Sequence, residues 1–323
     1  MTPSALLTLL WQIAAGFAIA LATGVPLLLL LRRLQFKQTA YEDAPKTHRE
    51  KTGTPTMGGI AILAAVAAGV LVSRGGSAAA FAVLVFGCAA VGFIDDFLGI
   101  RKGRNAGLRA RTKFLATALV GAIFLRMASN AGFSDAIVHT QHFNLIVPHW
   151  AWIVLGILAV TGAVHAVNLT DGLDGLAAGA MVPPLYVLVI PALAAGLDES
   201  GRNTIVSFAI GGCLGFLVYN RYPARMFMGD TGSLALGALL AGAAILDGEM
   251  LLLLIVGGLF VAEALSVMLQ VGYYKVTGGR RILLMSPLHH HFELAGWPER
   301  TVTFCFWLAS MICSVIGWAI VYV

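Results

Sequence analysis

The sequence predicts an all-α polytopic membrane protein with about ten transmembrane helices and both termini on the periplasmic or extracellular side. Of its 323 residues, 59% are hydrophobic and only 11% are charged, whereas soluble domains carry roughly a quarter charged residues. Apolar stretches long enough to cross a bilayer recur along the whole chain, and lysine and arginine cluster between alternate stretches. These observations indicate one continuous transmembrane domain over residues 1–323.

The apolar stretches define the candidate helices, because a spanning helix needs about 20 mostly apolar residues. The second and the eighth are short and rich in alanine and glycine, which predicts packing against other helices rather than against lipid. No internal repeat is strong enough to indicate the inverted halves of a transporter. The ten candidates lie near 5–31, 58–73, 77–97, 112–128, 150–168, 176–195, 204–221, 232–247, 249–274 and 301–322.

The distribution of basic residues predicts the orientation, because cytoplasmic loops are enriched in lysine and arginine. Of the 21 basic residues, 18 fall in alternate loops, which are therefore assigned to the cytoplasm. The net charge of +5 is explained by this membrane face, and no basic stretch is interleaved with aromatics as in a single-strand nucleic-acid binder. The cytoplasmic loops are 32–57, 98–113, 169–175, 219–231 and 275–300, and the longest outside loop, 129–149, contains a predicted small hairpin over 137–147.

Five acidic residues mark the cytoplasmic ends of the helices. Asp95, Asp96, Asp171, Asp174 and Asp230 come from three separate parts of the chain, yet the topology places them at one level. Clustered carboxylates repel one another, and a hard divalent cation such as Mg²⁺ or Mn²⁺ relieves that repulsion through oxygen ligands. The alternative is that each acid is an unrelated helix cap. The cluster predicts an active-site cleft on the cytoplasmic side.

The local settings of these acids differ. Asp95 and Asp96 end the third predicted span, and adjacent helical side chains point about 100° apart, which predicts different roles. Asp171 and Asp174 open the sixth span and share one face if the helix has begun. They and Asp230 stand in glycine-rich stretches at helix N-termini, where free N–H groups favour phosphate.

Other polar groups in the same loops are candidates for phosphate or nucleotide contact. Lys51 and Lys113 either neutralise phosphate charge or anchor the helices at the membrane edge. The triplet His289–His291 is interpreted as a contact to phosphate or nucleotide, because consecutive side chains rarely converge on one metal ion. Glu263, within the ninth span, is interpreted as structural, because no second ionisable group shares its predicted depth.

Five motifs together resemble the phospho-N-acetylmuramoyl-pentapeptide transferases, within the polyprenyl-phosphate N-acetylhexosamine-1-phosphate transferase superfamily. The resemblance extends from about Lys46 to Arg300, and the three consecutive histidines separate this family from transferases that use UDP-N-acetylglucosamine. The motifs are Lys51–Gly59, Asp95–Asp96, Asn168–Gly175, Phe227–Ser233 and Pro287–Glu293.

The resemblance implies a magnesium-dependent enzyme of the bacterial inner (cytoplasmic) membrane. UDP-N-acetylmuramoyl-pentapeptide and undecaprenyl phosphate would give UMP and the first lipid-linked peptidoglycan precursor (lipid I). It implies that Asp230 binds Mg²⁺ and that Phe227 stacks on uracil. For the aspartate pair itself, our hypothesis is that Asp95 or Asp96 takes a proton or supports the metal. The implied substrate-binding residues are Lys51, Thr56, Asn168, Asp171, Gly172, Asp174, Asn220, Phe227, Gln270, His289, His290 and His291.

Two positions depart from the family pattern. Ala44 replaces the usual glycine before Pro45, and Gly99 replaces the lysine that commonly follows the aspartate pair by three residues. The second departure shifts any phosphate role to Arg101, Lys102 or Lys113.

Two other functions are weighed against this one. The nearer is a UDP-N-acetylglucosamine:polyprenyl-phosphate transferase, and the other is a transporter of an anionic solute. Transport sites usually lie near the bilayer midplane, whereas these aspartates are predicted at its inner edge. The sequence leaves a homodimer open.

Overall fold

The structure is a computed structural model that describes residues 3–34, 36, 53–73, 77–102, 107–133, 136–139, 144–194 and 201–322. Lys51, with the other basic residues of the segment 37–52, lies outside these described residues. Within them the chain is almost entirely helical. The elements are α1 (Pro3–Arg33), α2 (Gly59–Val72), α3 (Ala78–Lys102), α4 (Ala110–Asn130), β1 (Ala136–His139), β2 (Asn144–Ile146), α5 (His149–Thr170), α6 (Leu176–Ala194), α7 (Arg202–Asn220), α8 (Gly229–Leu246), α9 (Leu253–Val256), α10 (Gly258–Val276), α11 (Leu288–Leu294) and α12 (Glu299–Tyr322).

The prediction of a helical, multi-pass membrane protein is confirmed. Among the described residues, eight helices are long and apolar enough to cross a membrane, and α2 and α6 are shorter apolar helices. Ten spans and the orientation of the termini remain predictions. The predicted outer hairpin is confirmed as the antiparallel pair β1–β2, in which Val138 lies opposite Leu145 and His139 opposite Asn144.

Two predicted helix boundaries were wrong. The stretch 249–274 is not one helix, because Gly257 separates the short α9 from α10. The third helix continues to Lys102, so Asp95 and Asp96 lie within α3 rather than at its end. Hydropathy marks where the apolar surface stops, whereas the hydrogen-bonded helix continues for as long as its backbone groups find partners.

Helices α7 and α8 form the centre of the bundle. Almost every residue of both is buried, with α1, α2 and α6 packed against α7, and α3 and α5 packed against α8. The outer helices α1, α4, α10 and α12 instead carry many exposed large apolar side chains, such as Leu7, Leu115, Met268 and Phe304. An exposed apolar surface of this extent is suited to contact with lipid.

Small residues allow the central helices to approach closely. A Cβ atom on Gly92 of α3 would overlap the backbone carbonyl of Asp230, and a Cβ atom on Gly59 of α2 would overlap the backbone of Gly232. Membrane helices use such small residues to bring their backbones together. As a result, the N-terminus of α8 lies directly beside the Asp95–Asp96 turn of α3.

We expect Gly92→Ala to destabilise the protein by about 1–3 kcal/mol, because the added methyl group forces α3 away from the backbone of α8. The control is Gly162→Ala on α5, where a Cβ atom meets no atom within 4 Å among the described residues. This control should be neutral or stabilising by up to about 1 kcal/mol, because alanine favours helix. Thermal unfolding in detergent measures both variants, and equal effects would contradict the proposed close contact.

Candidate active site

The N-terminus of α8 is capped by a carboxylate from another helix. Asp96 Oδ1 accepts the backbone N–H of Asp230 at 3.1 Å, and Oδ2 accepts the N–H of Thr231 at 2.9 Å and its hydroxyl at 2.6 Å. The first N–H groups of a helix have no partner within the helix, and the helix dipole favours negative charge there. Asp96 therefore attaches α3 to the first turn of α8.

The neighbouring carboxylate, Asp95, takes part in a different set of contacts. Its Oδ1 accepts the N–H of Leu108 at 2.8 Å, and its Oδ2 lies 3.2 Å from the Lys113 ammonium on α4. The same ammonium pairs with Oδ2 of Asp230. Lys113 therefore joins the two carboxylates of Asp95 and Asp230, which come from different helices.

Asp230 is held from the other side by α5. Its Oδ1 accepts a hydrogen bond from the Asn168 side-chain amide at 2.8 Å, and that amide nitrogen also donates to Ser233 Oγ at 2.9 Å. Both oxygens of Asp230 are thus oriented by neighbouring helices. The predicted group of Asp95, Asp96, Lys113, Asn168 and Asp230 is brought together at one place.

The donor set is compatible with magnesium. Among the described residues, no three His, Cys, Asp or Glu side chains are arranged to hold a metal ion by themselves. Mg²⁺, however, is usually bound through one or two carboxylates together with substrate phosphates and water. Asp95 Oδ2 and Asp230 Oδ2 already converge on one cationic group, the Lys113 ammonium. The two carboxylates therefore fit a divalent ion that is shared with a phosphate ligand.

Three basic residues were candidates for the role of the lysine that is absent at position 99, and the structure distinguishes their positions. The guanidinium of Arg101 lies over the Phe97 ring, 5.7 Å from its centroid. The Lys102 ammonium donates to the Gly107 carbonyl at 3.4 Å. Of the three, Lys113 is the residue in contact with the aspartates.

Asp171 and Asp174 do not lie on a helical face, because α6 begins only at Leu176 and the condition for that expectation is not met. They belong to a turn, Asp171–Gly175, between the end of α5 and the start of α6. Asp174 is buried, its Oδ2 accepts the N–H of Ala224 at 2.8 Å, and its own N–H donates to Glu299 at 2.9 Å. Positive φ at Gly175 (75°) turns the chain into α6, a conformation that favours glycine.

Asp171 carries the unusual electrostatics of this turn. Burial, and after it the negative charges of Asp230, Asp96 and Asp174 in that order, together raise the pKa of its carboxyl to about 8. A group in this condition holds its proton at neutral pH. Cations or hydrogen-bond donors brought by a ligand would favour its ionised form.

The segment before α2 is fastened to the segment before α8. Phe227 donates its backbone N–H to the Pro55 carbonyl and accepts the N–H of Gly58 at its own carbonyl, both at 2.8 Å. Thr56 is buried in this pairing, and Met57 adopts a positive φ of 75°, which is rare for a residue with a side chain. Phe227 itself is only partly buried.

Two other predicted substrate-binding residues are occupied by backbone groups. Asn220 accepts the N–H of Gly175 at 3.1 Å and donates to the Met226 carbonyl at 3.0 Å. Gln270 donates to the Leu283 carbonyl and accepts the N–H groups of Ile282 and Leu283, all at 3.0 Å. Their observed contacts hold loops in place.

The three histidines lie on the short helix α11 and have different partners. His289 is fully buried, and its Nδ1 lies 3.0 Å from Glu263 Oε1. His290 Nδ1 lies 2.8 Å from Glu293 Oε2. His291 Nδ1 accepts the N–H of Leu284 at 3.1 Å.

The role of Glu263 was not predicted from the sequence. It was interpreted as structural because no ionisable group seemed to share its depth, and that premise was wrong, since His289 reaches it from α11. The burial of a carboxylate within a predicted span was the signal that marked it. Thr231 and Ser233 were also missed as partners of Asp96 and Asn168, because their contacts depend on the helix packing.

Comparison with known proteins identifies the family that this chain resembles. The sequence profile described as Glycosyl transferase family 4 matches residues 78–247, a range that includes all five aspartates. A second profile, described as Phospho-N-acetylmuramoyl-pentapeptide-transferase signature 1, matches residues 51–63.

Full-length relatives carry the same description. Phospho-N-acetylmuramoyl-pentapeptide-transferase of Desulforamulus reducens is 44% identical, over 96% of this chain and 95% of the relative. Proteins of that name from Desulforudis audaxviator and Heliobacterium modesticaldum are 42% and 43% identical; the alignments cover 95% and 96% of this chain, and 97% and 96% of the relatives.

We expect Asp171→Asn to change how the stability of the metal-free protein depends on pH. Between pH 3.8, the ordinary pKa, and about 8, the unfolded chain loses the Asp171 proton while the folded chain retains it. The parent protein therefore loses stability relative to Asp171→Asn as pH rises through this range, by up to about 1.4 kcal/mol per pH unit. Unfolding in EDTA from pH 4 to 9 measures this difference in stability. Gly162→Ala is the control, because its difference in stability from the parent should not change with pH. Parallel curves for parent and Asp171→Asn would contradict the raised pKa.

Proposed function

The chain belongs to the phospho-N-acetylmuramoyl-pentapeptide-transferase family, and on this basis we propose that it makes the first lipid-linked precursor of peptidoglycan. It transfers phospho-N-acetylmuramoyl-pentapeptide from the UDP-linked donor to undecaprenyl phosphate and releases UMP. The observation that carries the proposal is the convergence of Asp95, Lys113, Asn168 and Asp230 at the N-terminus of α8, inside the matched family region.

The proposed location is the bacterial cytoplasmic membrane, with the site facing the cytoplasm. The bias of lysine and arginine toward the loops on the aspartate side supports this orientation. Nucleotide-activated sugars are made in the cytoplasm, so the polar UDP-linked donor reaches the site from water. The prenyl tail of the acceptor stays in the bilayer, against the apolar outer helices.

Asp230 is the proposed ligand of Mg²⁺, with Asp95 beside it. Bound there, the ion would neutralise charge on the diphosphate and make its phosphorus a better electrophile. Asn168 orients the Asp230 carboxylate through Oδ1. The Lys113 ammonium, which pairs with both carboxylates, is free to turn toward the phosphates once another cation compensates Asp95 and Asp230.

Of the two adjacent aspartates, Asp95 is the proposed proton acceptor. Asp96 already accepts three hydrogen bonds from the first turn of α8, and these contacts make it a structural anchor. Asp95 accepts one backbone N–H and pairs with Lys113, so one of its oxygens is bound only by a side chain that can move.

The transfer is proposed to occur in one step, by direct attack of the lipid phosphate. A phosphate monoester has a second pKa of about 6 and is largely a dianion at neutral pH. Such an acceptor requires little activation, so Asp95 needs only to remove the residual proton. Phosphoryl transfer depends mainly on positioning and charge neutralisation, which the aspartates and Lys113 supply.

The nucleotide is proposed to bind near the paired segments 53–58 and 227–229. Phe227 has a fixed backbone and a partly exposed ring, which suits stacking on uracil. Thr56 and Asn220 stabilise these segments, and Gln270 stabilises the loop that leads to the histidines. Lys51, although outside the described residues, is retained as a proposed contact to the phosphates.

Replacing the aspartates one at a time should separate their roles. We expect Asp230→Asn to give the largest loss of apparent Mg²⁺ affinity, because it removes the principal ligand. Asp95→Asn should lower kcat by about 100-fold or more below about pH 6, where the acceptor phosphate carries its second proton, and by less at neutral pH, while keeping magnesium affinity closer to the parent. Asp96→Asn should mainly lower thermal stability, by about 0.5–2 kcal/mol, because it weakens a helix cap.

UMP release across pH and magnesium concentration, together with thermal unfolding, measures the effects of all three substitutions. A larger change in magnesium affinity for Asp96→Asn than for Asp230→Asn would contradict the metal assignment.

The donor sugar separates the proposed function from its nearest alternative. Detergent-solubilised protein with undecaprenyl phosphate and Mg²⁺ should release UMP from UDP-N-acetylmuramoyl-pentapeptide. It should release little from UDP-N-acetylglucosamine at equal concentration. Turnover with the acetylglucosamine donor alone would refute the proposal, and solute uptake into sealed vesicles without a prenyl acceptor would favour a transporter.

A further inference from the structure

Glu263, on the central part of α10, holds the histidine segment through both of its oxygens. Its side chain is fully buried, Oε1 lies 3.0 Å from His289 Nδ1, and Oε2 accepts the N–H of Leu288 at 2.8 Å. An ionised carboxylate only accepts hydrogen bonds. With Glu263 as the carboxylate, Oε1 accepts the hydrogen bond and the proton of this pair belongs to Nδ1 of His289.

The second nitrogen of His289 points toward the turn Asp171–Gly175. Nε2 is buried, and no group among the described residues forms a hydrogen bond with it. It occupies the space of a missing side chain, because a Cβ atom on Gly172 would overlap Nε2. A buried polar nitrogen without a partner costs about 1–3 kcal/mol, so the contact with Glu263 must impose this orientation.

At His291 the hydrogen bond to Nδ1 runs in the opposite direction from the one at His289. Its Nδ1 accepts the N–H of Leu284 at 3.1 Å, so the neutral ring carries its proton on Nε2. These two of the three imidazoles on α11 therefore present different atoms: His291 offers an N–H donor, which suits a phosphate oxygen, and His289 presents an unprotonated nitrogen to Gly172. This difference arises from Glu263 in one case and from a backbone amide in the other.

We propose that Glu263 is a positioning residue that fixes His289 in the Nδ1–H tautomer, so that the unprotonated Nε2 packs against Gly172 and positions the Asp171–Gly175 turn for contact with the sugar nucleotide. The proposal rests on the proposed function for the identity of that ligand. Gly172 then has a steric role, because it leaves room for His289, and a side chain at this position would displace the ring.

The competing explanation is that Glu263 only caps α11 through the N–H of Leu288. Glu263→Gln distinguishes the two, because its amide oxygen can still accept from Leu288 while its amide nitrogen donates to His289 Nδ1. This variant preserves the cap and favours the wrong tautomer. The matched control is Ser266→Ala, a buried polar change one turn away on α10, where the serine hydroxyl donates to the Glu263 carbonyl.

The tautomer itself is measured by nitrogen NMR on ¹⁵N-histidine-labelled protein in nanodiscs. The signals of His289 are assigned as those that disappear in the His289→Asn variant. We expect an Nδ1–H signal for His289 in the parent and in Ser266→Ala, and an Nε2–H signal in Glu263→Gln. An Nε2–H signal for His289 in the parent overturns the proposal whatever the activity of the variants.

Kinetics tests whether the orientation serves the reaction. Glu263→Gln should lower kcat/KM for the UDP-linked donor by about 10–100-fold, and Glu263→Asp should retain an intermediate activity. In the His289→Asn background, Glu263→Gln should cause no further loss, because Glu263 acts through His289. Multiplicative losses, or parent-like activity of a folded Glu263→Gln, would overturn the inference. Absence of turnover by the parent would instead refute the proposed function and leave the NMR result as the test of the tautomer.

Discussion

The contact on which the site depends is the capping of α8 by Asp96. A helix N-terminus inside a bundle exposes several N–H groups that must find partners, and a carboxylate from the neighbouring helix satisfies two of them together with the Thr231 hydroxyl. This contact forms only because Gly92 lets the backbones of α3 and α8 meet. It brings Asp95 and Asp230 to the same place, and Lys113 compensates their charge.

Charge compensation explains how so many acids can lie close together. Asp95 and Asp230 share one ammonium, Asp96 is bound by the end of a helix, and Asp174 accepts a backbone N–H of Ala224. Asp171 has no comparable partner among these cations and N–H groups, and burial together with the neighbouring negative charges raises the pKa of its carboxyl. The arrangement is suited to a polyanionic ligand with its own cation, because such a ligand adds charge of both signs.

The second half of the site is organised by backbone hydrogen bonds and by one buried contact between a carboxylate and an imidazole. The segments 53–58 and 227–229 hold each other through backbone hydrogen bonds, and Gln270 holds the loop before α11. Glu263 fixes both the start of α11 and the ring of His289. The helices therefore supply anchors such as Gln270 and Glu263 for the polar segments between them, which form this half of the proposed site.

The sequence by itself determined the membrane class, the approximate helices and the shared level of the five aspartates, because apolar length and charge bias act locally along the chain. The motifs also identified the family, and full-length relatives agree with it. Only the tertiary structure decided which acids pair with Lys113, that Asp171 and Asp174 occupy a turn, and that Glu263 meets His289. These contacts join residues far apart in sequence, such as Asp96 with Thr231 and Glu263 with His289. Their partners depend on how closely helices approach, and that distance is set by packing across the whole bundle.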